Sequence, residues 1–383
     1  MDRQHTRQAT LLIMAVFALQ PFAIGGWLAL IPVVKETLGL SKSELALALM
    51  GMPIALIPSL QVAARAMTRF GPRRLLRVFF PLQALAVMLP LVAWNGPALF
   101  GALVMVGVAM AFNEVAMNVF AGRLEKRADL MIMNRCHGFW ATGIMGGSAV
   151  VALLPGLAPT EVLALLAVVS AVGGALAAVY LPRLGDDETG PALRRRRLVD
   201  LPAALLFVGI FMFAVTLTEG TMADWAAVYM AERLGDPTAS AGIAVTVFSA
   251  FMAGGRFLGD WLKRRMGGVA LARLTSGCAL LGLALLVVPL PLWVAMPGFA
   301  LVGFGVSAAY PLGVSAIAAL DDQYEAANIA IMATVAMGGF LIGPPLIGFV
   351  SEAFGLRVGF ATLFPALILA LALTKWLRPA DSE

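Results

Sequence analysis

The chain has 383 residues, of which 61% are hydrophobic and 13% charged, and its formal net charge is +5. Soluble domains average about 45–50% apolar and about 25% charged, so a soluble or disordered protein is excluded. Two cysteines, Cys136 and Cys278, exclude a disulfide scaffold.

A bilayer-spanning helix needs roughly 20 mainly apolar residues. Twelve such segments are expected near 9–34, 43–64, 75–94, 98–121, 131–154, 161–182, 201–230, 241–262, 271–291, 293–318, 328–351 and 358–377. They read as helices, because a lipid-exposed backbone must satisfy its own hydrogen bonds, and the alternation a barrel requires is absent. The chain opens on the charged stretch Met1–Arg7 and enters a full-length span, so no cleavable leader is expected.

Charge sets the orientation. With the N-terminus inside, all of the 27 Lys and Arg except Lys35, Lys42, Arg233 and Arg357 fall on the cytoplasmic side. Both termini are therefore expected in the cytoplasm, with the chain a multi-pass protein of the bacterial inner membrane. The basic residues lie in short loops between spans, which argues against nucleic acid as a partner.

The polar stretch Arg183–Asp200, with its run Arg194–Arg197, reads as a solvated linker. It divides the chain into residues 1–182, a six-helix bundle; 183–200, a cytoplasmic linker; and 201–383, a second six-helix bundle. The two blocks repeat. Leu38-Gly39 matches Leu234-Gly235 and Val106-Gly107 matches Val302-Gly303, both at an offset of 196, while Trp27 matches Trp225 at 198. Two parallel six-helix repeats build a carrier whose site lies at the midplane between the halves.

The loop after span 2 reads Ala64-Arg-Ala-Met-Thr-Arg69-Phe-Gly71-Pro-Arg73-Arg74, and that after span 8 reads Gly255-Arg256-Phe-Leu-Gly259-Asp260-Trp-Leu-Lys263-Arg264-Arg265. Both resemble the inter-helix loop signature G-x-x-x-D-R-x-G-R-R of the major facilitator superfamily. The resemblance implies twelve transmembrane helices in two pseudo-symmetric bundles, and gating roles for Arg69, Arg73, Arg74, Arg256 and Asp260. The first copy has Thr68 where the acid normally stands. Arg256 and Asp260, four apart, are placed to pair along one helix face. The loop between spans 10 and 11 carries Asp321, Asp322 and Glu325 with no Lys or Arg, and is expected either to face Arg69–Arg77 in place of the missing acid or to be a solvated turn.

Span 11 contains Gly338-Gly339-Phe-Leu-Ile-Gly343-Pro344-Pro345-Leu-Ile-Gly348; the small residues predict close packing and the prolines a kink. In the superfamily a Gly-Pro motif in span 5 accompanies antiporters. Span 5 has Gly138, Gly143, Gly146 and Gly147 without such a proline, which disfavours drug/proton antiport.

Ionisable residues within spans are the strongest pointers, because burying one without a partner costs several kcal/mol. Span 4 places Glu114 and Asn118 on one helix face, span 5 carries His137, and span 7 carries Glu219 and Asp224. These four titratable groups are candidates for proton coupling; each has a structural alternative, as an acid or imidazole satisfied by neighbouring helices. Trp27, Trp140 and Trp225 can offer apolar faces to a sugar ring or pack as core, with Gln20, Asn113 and Asn118 as hydrogen-bond partners. Tyr310, Gln61 and Gln83 are further polar positions.

The stretches Glu114-Val-Ala-Met-Asn118, His137-Gly-Phe-Trp140, Thr218–Tyr229 and Gly254–Asp260, with the Gly-Pro-Pro run of span 11, resemble the bacterial YbjJ-like branch of that superfamily. The branch usually has Asp where Glu114 stands. The resemblance implies a carrier for sugar-, polyol- or inositol-like solutes. Proton symport by alternating access is the expected mechanism, with proton-coupled export of drugs or metabolites as the alternative. Solute, protons and the lipid bilayer are the expected partners of a monomeric chain needing no cofactor or metal. No Gly-x-x-x-x-Gly-Lys-Ser/Thr loop is present to bind nucleotide. Two histidines and two distant cysteines make poor material for a membrane-embedded enzyme.

Overall fold

A computed structural model describes residues 3–184, 201–237, 241–318, 320 and 324–378. It is all-helical, with 12 helices long and apolar enough to cross a membrane. Spans 1 to 6 are Arg3–Thr37, Lys42–Phe70, Pro72–Val92, Gly96–Ala128, Met133–Leu153 and Pro159–Tyr180. Spans 7 to 12 are Ala203–Leu234, Gly242–Met266, Gly268–Val287, Leu292–Ala318, Ala327–Phe354 and Leu356–Leu377. All 12 expected segments are present. Several run beyond their apolar cores, because a helix pairs its own backbone into the headgroup region whatever the side chains there.

Span 1 is two helices, Arg3–Leu19 and Phe22–Thr37, parted at Gln20 and Pro21. Pro21 has no N–H to donate, so the helical ladder is interrupted there. Span 10 is likewise parted between Val306 and Ala309. Span 11 is one continuous helix from Glu325 to Phe354 that passes through Pro344 and Pro345.

The internal repeat is visible as repeated geometry. Gly39 and Gly235 end spans 1 and 7 with φ of 61° and 67°, a left-handed backbone that glycine adopts without penalty. Gly107 of span 4 sits against the Met52 carbonyl of span 2, and Gly303 of span 10 against the Phe248 carbonyl of span 8. Neither position has room for a Cβ, and the same offset of 196 relates both members of the two pairs. Small residues thus set how closely span 4 meets span 2 and span 10 meets span 8.

Within each group of six spans the helices pack extensively, span 2 on span 4 and span 3 on span 6, span 7 on span 11 and span 9 on span 10. Between the groups the packing is uneven. Spans 5 and 8 touch along their length: Ser148 and Thr246 hydroxyls lie 2.9 Å apart near one end, and Asn134 donates to Asp260 near the other. Spans 2 and 11 meet mainly through the Lys42–Leu49 helix, where Gly348 lies against Ala46 and the Lys42 carbonyl. The molecule is therefore closed at the end away from the chain termini, and spans 2 and 11 part toward the other end.

Candidate functional site

Where span 1 breaks, its backbone needs an outside partner in a region without water. Gln83 of span 3 supplies one, its Nε2 donating to the Gln20 carbonyl oxygen at 2.8 Å. The Gln83 Oε1 accepts from Gln20 Nε2 at 3.1 Å and from Asn113 Nδ2 at 2.9 Å. The Gln20 Oε1 accepts from the Trp140 indole N–H at 3.0 Å. Gln20, Gln83 and Asn113 are all buried, and the network joins spans 1, 3, 4 and 5.

Trp140 carries this network to the seam between the two groups of spans. The Arg256 guanidinium of span 8 lies 5.7 Å from the centre of its ring. One nitrogen of Arg256 pairs with Glu219 of span 7 at 3.0 Å, and the other donates to the His137 carbonyl at 3.3 Å. Both charged side chains are largely shielded, at 11% and 14% exposure. Arg256 also lies within electrostatic reach of Glu114, which is in turn within reach of Tyr310. Glu114 accepts from Asn118 Nδ2 at 3.1 Å through Oε1, while its buried Oε2 has no partner among the described residues. The His137 ring packs edge-on to Phe17 at 5.4 Å and lies 6.3 Å from the ring of Tyr310, so it too bridges the two groups. Two carboxylates, one guanidinium, an imidazole and a phenol thus share one seam.

Arg256, Trp27, Trp225, Gln20 and Asn113 depart from the expected arrangement. Arg256 does not pair along its own helix with Asp260: it points inward to Glu219, and Asp260 is bonded across the seam to Asn134. Arg73 anchors the end of span 6 through the Val179 carbonyl at 2.7 Å, and Arg69 lies over its neighbour Phe70; Arg74 is exposed. Trp27 and Trp225, at 1% and 0% exposure, are sealed in the core and offer no face to a solute in this conformation. Gln20 is spent on Gln83 and Trp140, and the Asn113 amide nitrogen on Gln83, rather than left free for a ligand. Asp224 is half-buried in span 7 and pairs with none of the described residues. Asp321 and Asp322 lie outside the described residues, and Glu325 opens the helix of span 11.

The closed end holds contacts that the sequence does not single out. Glu352 of span 11 accepts the backbone N–H of Lys42 at 2.6 Å and of Ser43 at 3.3 Å, and the Lys42 ammonium pairs with Glu232 of span 7 at 3.0 Å. The signal available for them is charge complementarity: a lysine at the start of span 2 faces acids at the ends of spans 7 and 11.

Comparison with known proteins places these features in a family. The sequence model described as Major Facilitator Superfamily matches residues 11–327. An uncharacterized MFS-type transporter of Yersinia pestis is 30% identical over 93% of this chain and 92% of its own. Membrane protein MosC of Rhizobium meliloti is 28% identical over 94% and 88%. Among solved structures, the nucleoside transporter NupG superposes with a TM-score of 0.73 at 14% identity, covering 98% of this chain and 99% of that one. A bacterial homolog of the human lysosomal transporter Spinster, inward-facing and occupied, superposes at 0.73, also at 14% identity, over 98% and 97%.

Proposed function

Because the chain belongs to the Major Facilitator Superfamily and is a secondary transporter by its fold, we propose that it carries a small polar solute, sugar- or polyol-like, in symport with protons. The observation carrying this reading is the seam itself. Glu219 pairs with Arg256, Glu114 lies within electrostatic reach of the same guanidinium, and one Glu114 oxygen has no partner among the described residues. The group is therefore charge-balanced only when one carboxylate holds a proton. Alternating access gives that proton a path, since the closed end and the parted end exchange roles as the two groups of spans rock.

Residues 1–182 and 201–383 act as the two rocking bundles, with 183–200 as their linker. The preponderance of Lys and Arg near the termini supports an inner-membrane orientation with both termini cytoplasmic, so the described conformation is open inward. Trp140 supplies an apolar face beside the charged group, and Asn118, Tyr310 and the free Asn113 oxygen supply polar contacts. The motifs of spans 4, 5, 7, 8 and 11 support placement in the YbjJ-like branch and hence the sugar or polyol preference.

A thermal-shift screen of hexoses, polyols, organic acids and cationic drugs on purified protein tests the solute class. Stabilisation by a neutral polyhydroxylated compound, weakened by Glu114→Gln or Glu219→Gln, is expected. Stabilisation by hydrophobic cations alone contradicts the reading.

A further inference from the structure

Gln83 is bonded neither to the acids nor to Arg256, yet it bonds Gln20 twice and Asn113 once at the break in span 1. The hydrogen-bond directions follow from chemistry. An indole N–H only donates, so the Gln20 atom 3.0 Å from Trp140 Nε1 must be its oxygen. A backbone carbonyl only accepts, so the Gln83 atom 2.8 Å from the Gln20 carbonyl must be its nitrogen. That leaves Gln83 Oε1 to receive both the Gln20 amide at 3.1 Å and the Asn113 amide at 2.9 Å. Reversing either glutamine amide sets donor against donor or acceptor against acceptor inside a buried network, where each unmade bond costs about 1–3 kcal/mol.

We propose that Gln83 is a positioning residue for transport: acting through Gln20, it holds the Trp140 ring under Arg256 and so seats Arg256 against Glu219. Every link is a direct contact. Gln83 bonds Gln20, Gln20 bonds Trp140, the Trp140 ring faces the guanidinium at 5.7 Å, and the guanidinium pairs with Glu219 at 3.0 Å. The chain of contacts starts at the break in span 1 and ends on the opposite side of the seam. A change in the span 1 backbone at Gln20 and Pro21 is therefore communicated to the ion pair by side chains alone. In its consequence for transport, the inference rests on the reading of Glu219 as a coupling acid.

The test uses purified full-length protein in lipid nanodiscs and needs neither solute nor proton gradient. The ultraviolet resonance Raman band sensitive to indole N–H bonding is recorded for wild type and Trp140→Phe, and the difference isolates Trp140. In parallel, dicyclohexylcarbodiimide modification of Glu219 is followed by mass spectrometry. Gln83→Leu and the slimmer Gln83→Met are the two variants, so that one misfolded protein does not end the experiment. The expected result is that Gln83 variants shift the Trp140 band toward a weakly bonded indole and raise Glu219 modification severalfold. A Trp140 band that stays at its wild-type position overturns the proposal. So does a shifted band with unchanged Glu219 modification, because the contacts would then end at Trp140. Since neither readout involves transport, failure of the symport reading shows itself separately, in the uptake assay, and leaves this result standing.

Discussion

Removing the Glu352 carboxylate should open the closed end. That group is bonded across the seam to the first two N–H groups of the Lys42–Leu49 helix, at 2.6 and 3.3 Å. The next N–H, of Glu44, is served locally by the Ser41 hydroxyl in a capping box. Glu352 therefore satisfies donors that span 2 leaves unmet, and only while spans 2 and 11 touch. A carboxylate at a helix N-terminus contributes about 0.3–1 kcal/mol when exposed and up to about 2 when partly buried. The Lys42–Glu232 pair, with Glu232 40% exposed, adds about 0–1 kcal/mol. Glu352→Ala leaves that pair in place and, because Glu352 is exposed, forfeits about 0.3–1 kcal/mol held only by the closed state, a shift of about 2- to 5-fold in the closed-to-open ratio. The assay is the rate at which an impermeant maleimide modifies Ser148→Cys in a background lacking Cys136 and Cys278. Ser148 is fully buried and faces Thr246 across the seam, so modification reports opening. Glu161→Ala, which removes a capping acid from span 6 that accepts from the nearby Ala158 N–H, should leave the rate unchanged. An unchanged rate in Glu352→Ala refutes the reasoning.

Arg256→Lys should slow transport by about 10- to 150-fold, because a shorter side chain with one nitrogen replaces a fork whose two nitrogens serve the Glu219 carboxylate and the His137 carbonyl separately, and a charge-assisted hydrogen bond contributes about 1.5–3 kcal/mol; uptake rates measure it. Gly303→Ala should lower the melting temperature, with a loss of about 1–3 kcal/mol, since its Cβ would collide with the Phe248 carbonyl, whereas Gly254→Ala meets open space and should not. Arg73→Ala should cost about 1 kcal/mol of stability by releasing the Val179 carbonyl, without changing the Ser148→Cys modification rate, which separates an anchor from a gate.

The spans were legible because the bilayer leaves only helices and closed barrels as backbone solutions, and long continuous apolar runs mark the helix. The repeat was legible because Gly39 and Gly235 take a left-handed backbone that favours glycine, and Gly107 and Gly303 leave no room for a Cβ. Partner choice was not legible. Arg256 lies four residues from Asp260 in sequence, but the local pairing loses to a cross-seam contact with Glu219, because a guanidinium on a helix face turned inward has no solvent to compete. The tryptophans 27 and 225 have the composition of a sugar platform, and only tertiary packing shows them sealed. Gln83 resembled any other polar residue in an apolar span; what distinguishes it is the break at Gln20 and Pro21, far back in the chain, where its amide donates to the Gln20 carbonyl.

Coupling of solute movement to protons by the carboxylates in the seam is read out in proteoliposomes with an imposed proton gradient. Wild type should accumulate the solute found in the screen against its own gradient. Glu114→Gln and Glu219→Gln should each lose that accumulation while retaining exchange of solute between the two sides. Full proton-driven accumulation in both variants would contradict the account.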